Sequence, residues 1–348
     1  MSLKSYVKRL LCANSQKDIS PNPNPIVQPI TEPPPAISPL SAIFQTVYGR
    51  LPDNAELESL THLSHDLAPE DRAGLFRATI NAFDHQKTST PFTVRFGKDD
   101  MRYAAFEGFE LAIDAKDISV SVPLFNGHYE QHLVKFFNAT LKPGMVFMDI
   151  GANVGFYSML AASKVGNSGK VISFDPNTEN CRLMMLSMYK NQFQNIELYP
   201  FALGHKTGYA LFSTHIGSNG GLIADTEASL LNPNCTVVPM TQLDNLIQEK
   251  VDVIKIDVEG AEGLVINGGK ALIERHRPII TSEFSLEMLS RVSKMSGKDY
   301  LRYFRDQHYA IYVCDRNTHE LVVVPDVEAF VDNYGEQTRI EDLVLIPN

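Results

Sequence analysis

Between residues 146 and 284 the chain passes repeatedly from a short apolar run to an amphipathic stretch and back. The apolar runs are 146–150, 171–174, 196–199, 251–258 and 279–284, and helical patterning covers 158–164, 180–191 and 262–266. Two parallel strands need a long crossover between them, and a helix is the usual one. The alternation therefore predicts an α/β fold, a largely parallel sheet covered by helices on both faces. Near the end, AIYVC, LVVV and DLVLIP read as three further strands with no clear helix between the first two. That pattern predicts an antiparallel C-terminal edge.

Upstream of the alternation the character changes twice. Residues 20–39 are crowded with proline, including Pro33-Pro34-Pro35. Proline fixes φ and removes a donor, so residues 1–39 are expected to be a disordered, proline-rich segment. From 40 to 90 the pattern is helical, with stripes at Ile43, Phe44 and Val47, at Leu57, Leu60, Leu63 and Leu67, and at Leu75, Phe76, Ile80 and Phe83. Pro69, Glu70 and Asp71 suit the first turn of the last of these helices. His62 and His65 lie one turn apart without a third ligand and read as surface histidines. The runs FTVRF, FELAI and ISVSV read as strands that lead into a main domain spanning 91–348.

Charge and cysteine usage narrow the partners. The net charge is -10 with no long basic run, which argues against a nucleic-acid binder, since phosphates need a concentrated positive surface. Cys12, Cys181, Cys235 and Cys314 are isolated, with no CxxC pair, as expected of reduced thiols in a cytoplasmic protein. No apolar run is long enough to span a bilayer, so no transmembrane segment is expected. The start, MSLKSYVKRLLCANSQK, is basic enough for a peripheral membrane or protein contact, although a solvated terminus is the simpler expectation.

The first candidate site is VFMDI followed by Gly151-Ala152-Asn153-Val154-Gly155 and a helix. Gly151 and Gly155 allow a sharp turn and a close ligand approach, and Asn153 tolerates a left-handed conformation. A loop of this kind at the carboxyl end of a strand is a ligand position in open α/β sheets. Alone it suits a dinucleotide, whose pyrophosphate would sit at the helix N-terminus. Asp149 tips the balance, because a carboxylate there repels pyrophosphate and attracts the ammonium and sulfonium of S-adenosylmethionine. Asp175, followed by Pro176 and Asn177, closes the next strand about 24 positions after Gly151, near the spacing at which an acid bonds ribose hydroxyls. It also fits a plain turn before proline.

A second constellation lies at residues 251–260, VDVIKIDVEG. Strand alternation puts Lys255, Asp257 and Glu259 on one side, where buried charges need a partner or a task. One reading is a structural bridge between Lys255 and Asp257. The other places Asp257 and Glu259 beside the transferred group, where they position or deprotonate an acceptor hydroxyl. Glu283 ends another strand and should reach the same rim, while Glu262 fits either a helix-end acid or the site. Oxygen ligands from Asp257 and Glu283 suit a divalent cation, but no histidine cluster supports one and no metal is expected.

The phrases DIGANVGFYS, VISFDPN, IKIDVEGAE, PIITSEF and DLVLIP, in this order, resemble the FkbM family of methyltransferases over residues 125–347. The resemblance implies a Rossmann-like methyltransferase fold and methyl transfer to oxygen, often on a sugar hydroxyl of a glycan or natural product. It implies donor binding by Asp149, Gly151 and Asn153 and ribose binding by Asp175, a position that is commonly glutamate in the family. Tyr129-Glu130 matches a Tyr-Glu pair, which implies that Glu130 closes over the donor; His128 beside it is a candidate base. Upstream, VYGRLPDNAELE resembles a small helical module of bacterial glycan-biosynthesis proteins. The expectation is an O-methyltransferase with a glycan or small-molecule acceptor. Two alternatives stand beside it: a dinucleotide-dependent sugar oxidoreductase or epimerase, and a non-catalytic partner that keeps the fold.

Overall fold

The computed structural model describes residues 101–348 except 115, 116, 118, 126–128, 217 and 337. The proline-rich segment, the helical module and the FTVRF run all lie outside the described residues, as does His128. An antiparallel hairpin opens the described part, β1 (Met101–Phe106) and β2 (Phe109–Asp114), turned at Gly108. The expected ISVSV strand is not formed. Residues Ser121–Phe125 are a helical turn, α1, and Pro123 within it would leave a strand ladder without a donor.

Next come α2 (Gln131–Thr140), β3 (Val146–Ile150), α3 (Phe156–Val165), β4 (Lys170–Phe174), α4 (Thr178–Asn191) and β5 (Ile196–Tyr199). A stretch without long helices follows: β6 (Ala202–Leu203), β7 (Gly208–Ile216), β8 (Asn219–Ile223) and β9 (Cys235–Thr241). The alternation resumes with β10 (Val253–Ile256), α5 (Glu262–Gly268), α6 (Lys270–His276), β11 (Ile279–Phe284), α7 (Gly297–Asp306) and β12 (Tyr309–Cys314). β13 (Leu321–Val323) and β14 (Glu341–Pro347) complete it.

The main sheet has eight strands in the order β13-β12-β14-β11-β10-β3-β4-β5. β5, β4, β3, β10 and β11 are parallel neighbours, and β14 enters antiparallel between β11 and β12. The expected antiparallel edge is therefore present, with the last strand placed inside it. On one face, Met148, Ile172, Ile254 and Ile256 pack with Val265, Ile266, Leu272, Leu301 and Phe304 of α5 to α7. Each such side chain, fully buried, contributes roughly 1.5–3 kcal/mol. On the other face Phe137 of α2 meets Phe147 of β3 edge-on, with centroids 5.4 Å apart.

From β3 the chain runs outward through β4 and β5, then returns to lay β10 on the other side of β3. That reversal leaves a crevice at the carboxyl ends of β3 and β10, where ligands bind in open α/β sheets. The excursion between the two halves forms a second, four-stranded sheet, β6-β9-β7-β8. Its core is small, built on Ala202, Phe212, Val238 and Met240. So few apolar positions leave little periodicity in the sequence, and this sheet was not expected.

Candidate active site

Strand register assembles the site. Ser173, Asp149, Lys255 and Thr281 are paired across β4, β3, β10 and β11, one polar row through the middle of the sheet. Asp149 is 0% exposed and Lys255 4% exposed. The Ser158 hydroxyl at the start of α3 donates to Asp149 Oδ2 at 2.6 Å and lies 2.8 Å from the Ser173 hydroxyl. Lys255 Nζ donates to Asp257 at 2.8 Å and sits 5.0 Å over the Tyr157 ring. Asp149 Oδ1 and Thr281 Oγ1 have no hydrogen-bond partner among the described residues.

Two positions nearer the carboxyl ends, the same face carries acids. Asp175, Asp257 and Glu283 follow Ser173, Lys255 and Thr281, while the small Gly151 stands after Asp149. A Cβ on Gly151, whose φ is +82, would lie 1.7 Å from the Asp257 carbonyl oxygen, so only glycine lets these two strand ends touch. Gly155 is also left-handed, and a Cβ there would press on Met184 at 2.6 Å. Asn153 adopts φ 51, as its residue type suggested. Its side-chain amide donates to Asn219 Oδ1 at 2.9 Å, joining the glycine loop to the start of β8.

Asp175 Oδ2 accepts the Asn153 backbone N–H and Oδ1 that of Asn177, both at 2.8 Å. Burial nevertheless pushes its pKa up to about 7, against the pull of those backbone donors. Asn177 caps α4 by accepting from the Glu179 N–H, and it does not line the cavity; Pro176 and Ala152 do. Glu130 takes a left-handed conformation before α2 and accepts from the Tyr157 hydroxyl at 2.7 Å. Its pKa also rises to about 7 through burial, opposed by Lys255.

β10 ends at Ile256, earlier than its apolar run suggested, and Asp257 continues the line through a backbone bond to Ile150. Glu259 has φ 54, a strained conformation for a residue with a side chain, and strain of this kind clusters at functional sites. Burial first and Asp257 second raise its pKa to about 7. Glu283 is raised well above the carboxylate range by burial and by Asp257 and Glu259. Burial works against the Lys255 ammonium, but Asp257, Asp149 and Glu130 outweigh it and hold its pKa above the usual lysine value. Glu262 turns back instead, accepting the Val258 and Gly260 N–H groups and bracing the loop before α5.

The cavity at the crevice is thus lined by Glu130, Asp175, Asp257, Glu259 and Glu283, with Lys255 as its single lysine or arginine. Asp149 is not in its wall but lies behind the glycine loop. Sequence reasoning missed Tyr157 and Asn180, which also line it, while Ser218, Asn219, Gly220 and Gly221 belong to the glycine-rich loop that the sequence offers for an acceptor pocket. Tyr157 stood inside the quoted motif, but Asn180 becomes visible only when the second sheet is folded onto α4, where it donates to the Ser218 carbonyl at 3.0 Å. It missed Asp342 too, opposite Glu283 in register and held by His132 at 2.7 Å and Arg316 at 2.8 Å. Among the described residues no three His, Cys, Asp or Glu side chains come together to hold a metal ion, and no helix is long and apolar enough to cross a membrane.

Residues 149–311 match the family model of the methyltransferase FkbM domain. The FkbM match opens on Asp149 and takes in the glycine loop, Asp175 and the carboxylates after β10. Arsenite methyltransferase of Halobacterium salinarum is 28% identical over 99 residues, which span 28% of this chain and 22% of that protein. A methyltransferase FkbM structure from Methylobacillus flagellatus superposes with a TM-score of 0.37 at 14% identity, covering 64% of this chain and 54% of that one. For an S-adenosylmethionine-dependent O-methyltransferase from Thermotoga maritima the TM-score is 0.35 at 12% identity, with 63% and 64% covered. The eight-stranded sheet, with its strand order reversing at β3 and β10, is Rossmann-like in its parallel half.

Proposed function

We propose that the protein is an S-adenosylmethionine-dependent O-methyltransferase acting on a sugar hydroxyl of a glycan or glycosylated natural product. The observation that carries this reading is the acidic wall of the crevice, five carboxylates against one lysine. Such a wall suits a ligand with an ammonium and a sulfonium and opposes a pyrophosphate, which disfavours a dinucleotide. The residues present fit the donor. Gly151, Ala152 and Asn153 line the cavity with backbone and short side chains, and Asp175 retains lone pairs beyond the three donors it accepts, the Asn153 and Asn177 N–H groups and the Asn180 amide. Gly151, Ala152, Asn153 and Asp175, with Pro176 beside it, would hold the nucleoside, Gly155 serves the turn behind them and is not in the wall, and Glu130 and Asp257 would face the charged end.

When bound, the donor supplies a methyl group on a positively charged sulfur. The chain's own part is to orient the acceptor and take its proton. A hydroxyl acceptor must lose a proton as it gains the methyl group. Glu259, with a pKa near 7, is a carboxylate suited to receive it, while Glu283, pushed well above the carboxylate range by burial, is suited to hold a proton and orient the acceptor. Glu259 is the preferred base, and Lys255 donates a hydrogen bond to Asp257 beside it.

Calorimetric titration with S-adenosylhomocysteine should show binding that Asp175→Ala weakens about tenfold or more, the scale of a lost charge-assisted hydrogen bond. No binding in either protein would sink the reading. Transfer of a labelled methyl group to a glycan fraction, lost in Glu259→Gln, would support the oxygen acceptor.

A further inference from the structure

Glu259 also borders a second cavity. This one, about 950 Å³, lies between the four-stranded sheet and the segment from Met288 to Lys294. It shares Asn219, Gly220, Gly221 and Leu222 with the donor crevice, so β8 is a thin partition and Glu259 stands at its edge. Gly221 allows that closeness: a Cβ there would meet Glu259 Cβ at 3.1 Å.

The two cavities differ in charge. Against the acidic crevice, the second cavity carries Lys206, Arg291 and Lys294, with His205 beside them, and only Glu259 and Asp225 as acids. The cations come from two separate elements that face each other, the β6–β7 connection and the segment after Met288. Arg291 pairs with Glu287 at 3.3 Å on an exposed side, and Lys294 Nζ bonds the Arg291 carbonyl at 2.8 Å. In a chain of net charge -10, three lysines and arginines around one opening form a local reversal of sign. The wall between them is apolar, with Leu222, Val237, Leu264 and Val292. Tyr209 stands 74% exposed at its side.

We propose that this second cavity is the acceptor site and that it takes an anionic glycan, whose acidic substituent is held by Lys206, Arg291 and Lys294. The inference rests on the methyltransferase reading above. A sugar ring presents a C–H face that stacks on an open aromatic ring, which Tyr209 offers, and hydroxyls that reach the polar turn at Asn219. The acidic substituent, a carboxylate, sulfate or phosphate, is placed away from the carboxylates of the crevice. One hydroxyl of the same ring then lies at Glu259, next to the donor. A nucleic acid fits less well, since its phosphates need a long basic track and the basic groups here are confined to one opening.

A glycan array probed with the full chain, saturated with S-adenosylhomocysteine, tests this. Binding should be confined to glycans that bear a carboxylate, sulfate or phosphate, and should fall about tenfold or more in Lys206→Glu and in Arg291→Glu. Tyr209→Ala, an exposed substitution with little effect on folding, should lose the same signal. Calorimetry with S-adenosylhomocysteine on these variants should give wild-type affinity, because none of the three positions lines the donor crevice. Equal binding of neutral glycans, retention of signal in both charge-reversal variants, binding of RNA in place of glycans, or no glycan binding by a protein that does bind S-adenosylhomocysteine would overturn the proposal. Failure to bind S-adenosylhomocysteine at all would break the methyltransferase reading instead.

Discussion

The two sheets differ in how far their faces are covered. In the eight-stranded sheet Ser173, Asp149 and Lys255 are covered on both sides and are no more than 4% exposed. In the four-stranded sheet Tyr209 and Val237 are 74% and 54% exposed, and the core beneath them is only a handful of residues. Burial is what gives the first sheet its chemistry: carboxylates without water hold their protons to higher pH, and each can then act as a base near neutrality. Openness is what gives the second its use, since an uncovered face of a sheet can meet a ligand. One sheet supplies reactivity and the other access, and β8 is where they touch.

The sharpest way to break this contrast is at Gly151. Gly151→Val puts a branched side chain against the Asp257 carbonyl, where the Cβ alone is 1.7 Å away, and forces a non-glycine to φ +82. Loss of S-adenosylhomocysteine binding and a destabilisation of about 3 kcal/mol or more in urea are expected. An unaltered midpoint would mean that the strand ends do not meet as described.

Lys255→Met comes next. Removing the cation leaves Asp257 and Asp149 without it in the interior, which typically costs about 3–5 kcal/mol. The mirror experiment, Lys170→Met on the partly exposed pair with Glu197 and Glu249, should cost under about 1 kcal/mol. Similar losses at both sites would erase the difference between interior and surface.

Proton linkage should show the same contrast. Glu130, Asp175, Glu259 and Glu262 all have folded-state pKa values raised to about 7. The folded state therefore holds protons that the unfolded chain has released. This contribution to stability is fully present below the ordinary carboxylate range and is lost as pH rises through about 7. The ligand-free protein should become less stable between pH 5 and pH 8, read by denaturant titration. A stability that rises over this window would show the crevice carboxylates to be ionised and solvated.

The smallest effect has the opposite sign. Glu259→Gly relieves a left-handed side-chain-bearing residue and should stabilise the fold by about 1 kcal/mol while abolishing methyl transfer. If instead it destabilises the fold, Glu259 serves the architecture and not the reaction.

Much of the main sheet is legible in the sequence. β3, β5 and β11 fall on the expected apolar runs, because buried parallel strands must be nearly continuous in apolar residues. β10 is shorter than its run, since Asp252 turns its carboxylate to the Val146 N–H and Glu259 leaves the extended conformation. The four-stranded sheet was not legible, because strands with one open face and many small or polar residues carry little pattern. In the site, glycines and acids at strand tips stand out within short motifs, which is why Gly151, Asp175, Asp257 and Glu259 could be named. What could not be named depends on register and on distant chain. Asp342 reaches Glu283 only because β14 lies beside β11, and Asn180 reaches the Ser218 carbonyl only because the second sheet folds onto α4.

The position of β14 also bears on how the protein is made. β11 and β12 are both synthesised before it, yet each pairs with β14 and not with the other. Until residues 341–347 leave the ribosome, the nascent chain carries two strand edges with nothing between them, including the edge that bears Glu283. Such edges recruit other chains. A translating ribosome stalled ahead of β14 should therefore hold a chain that depends on chaperones, and release of those last strand residues should end the dependence.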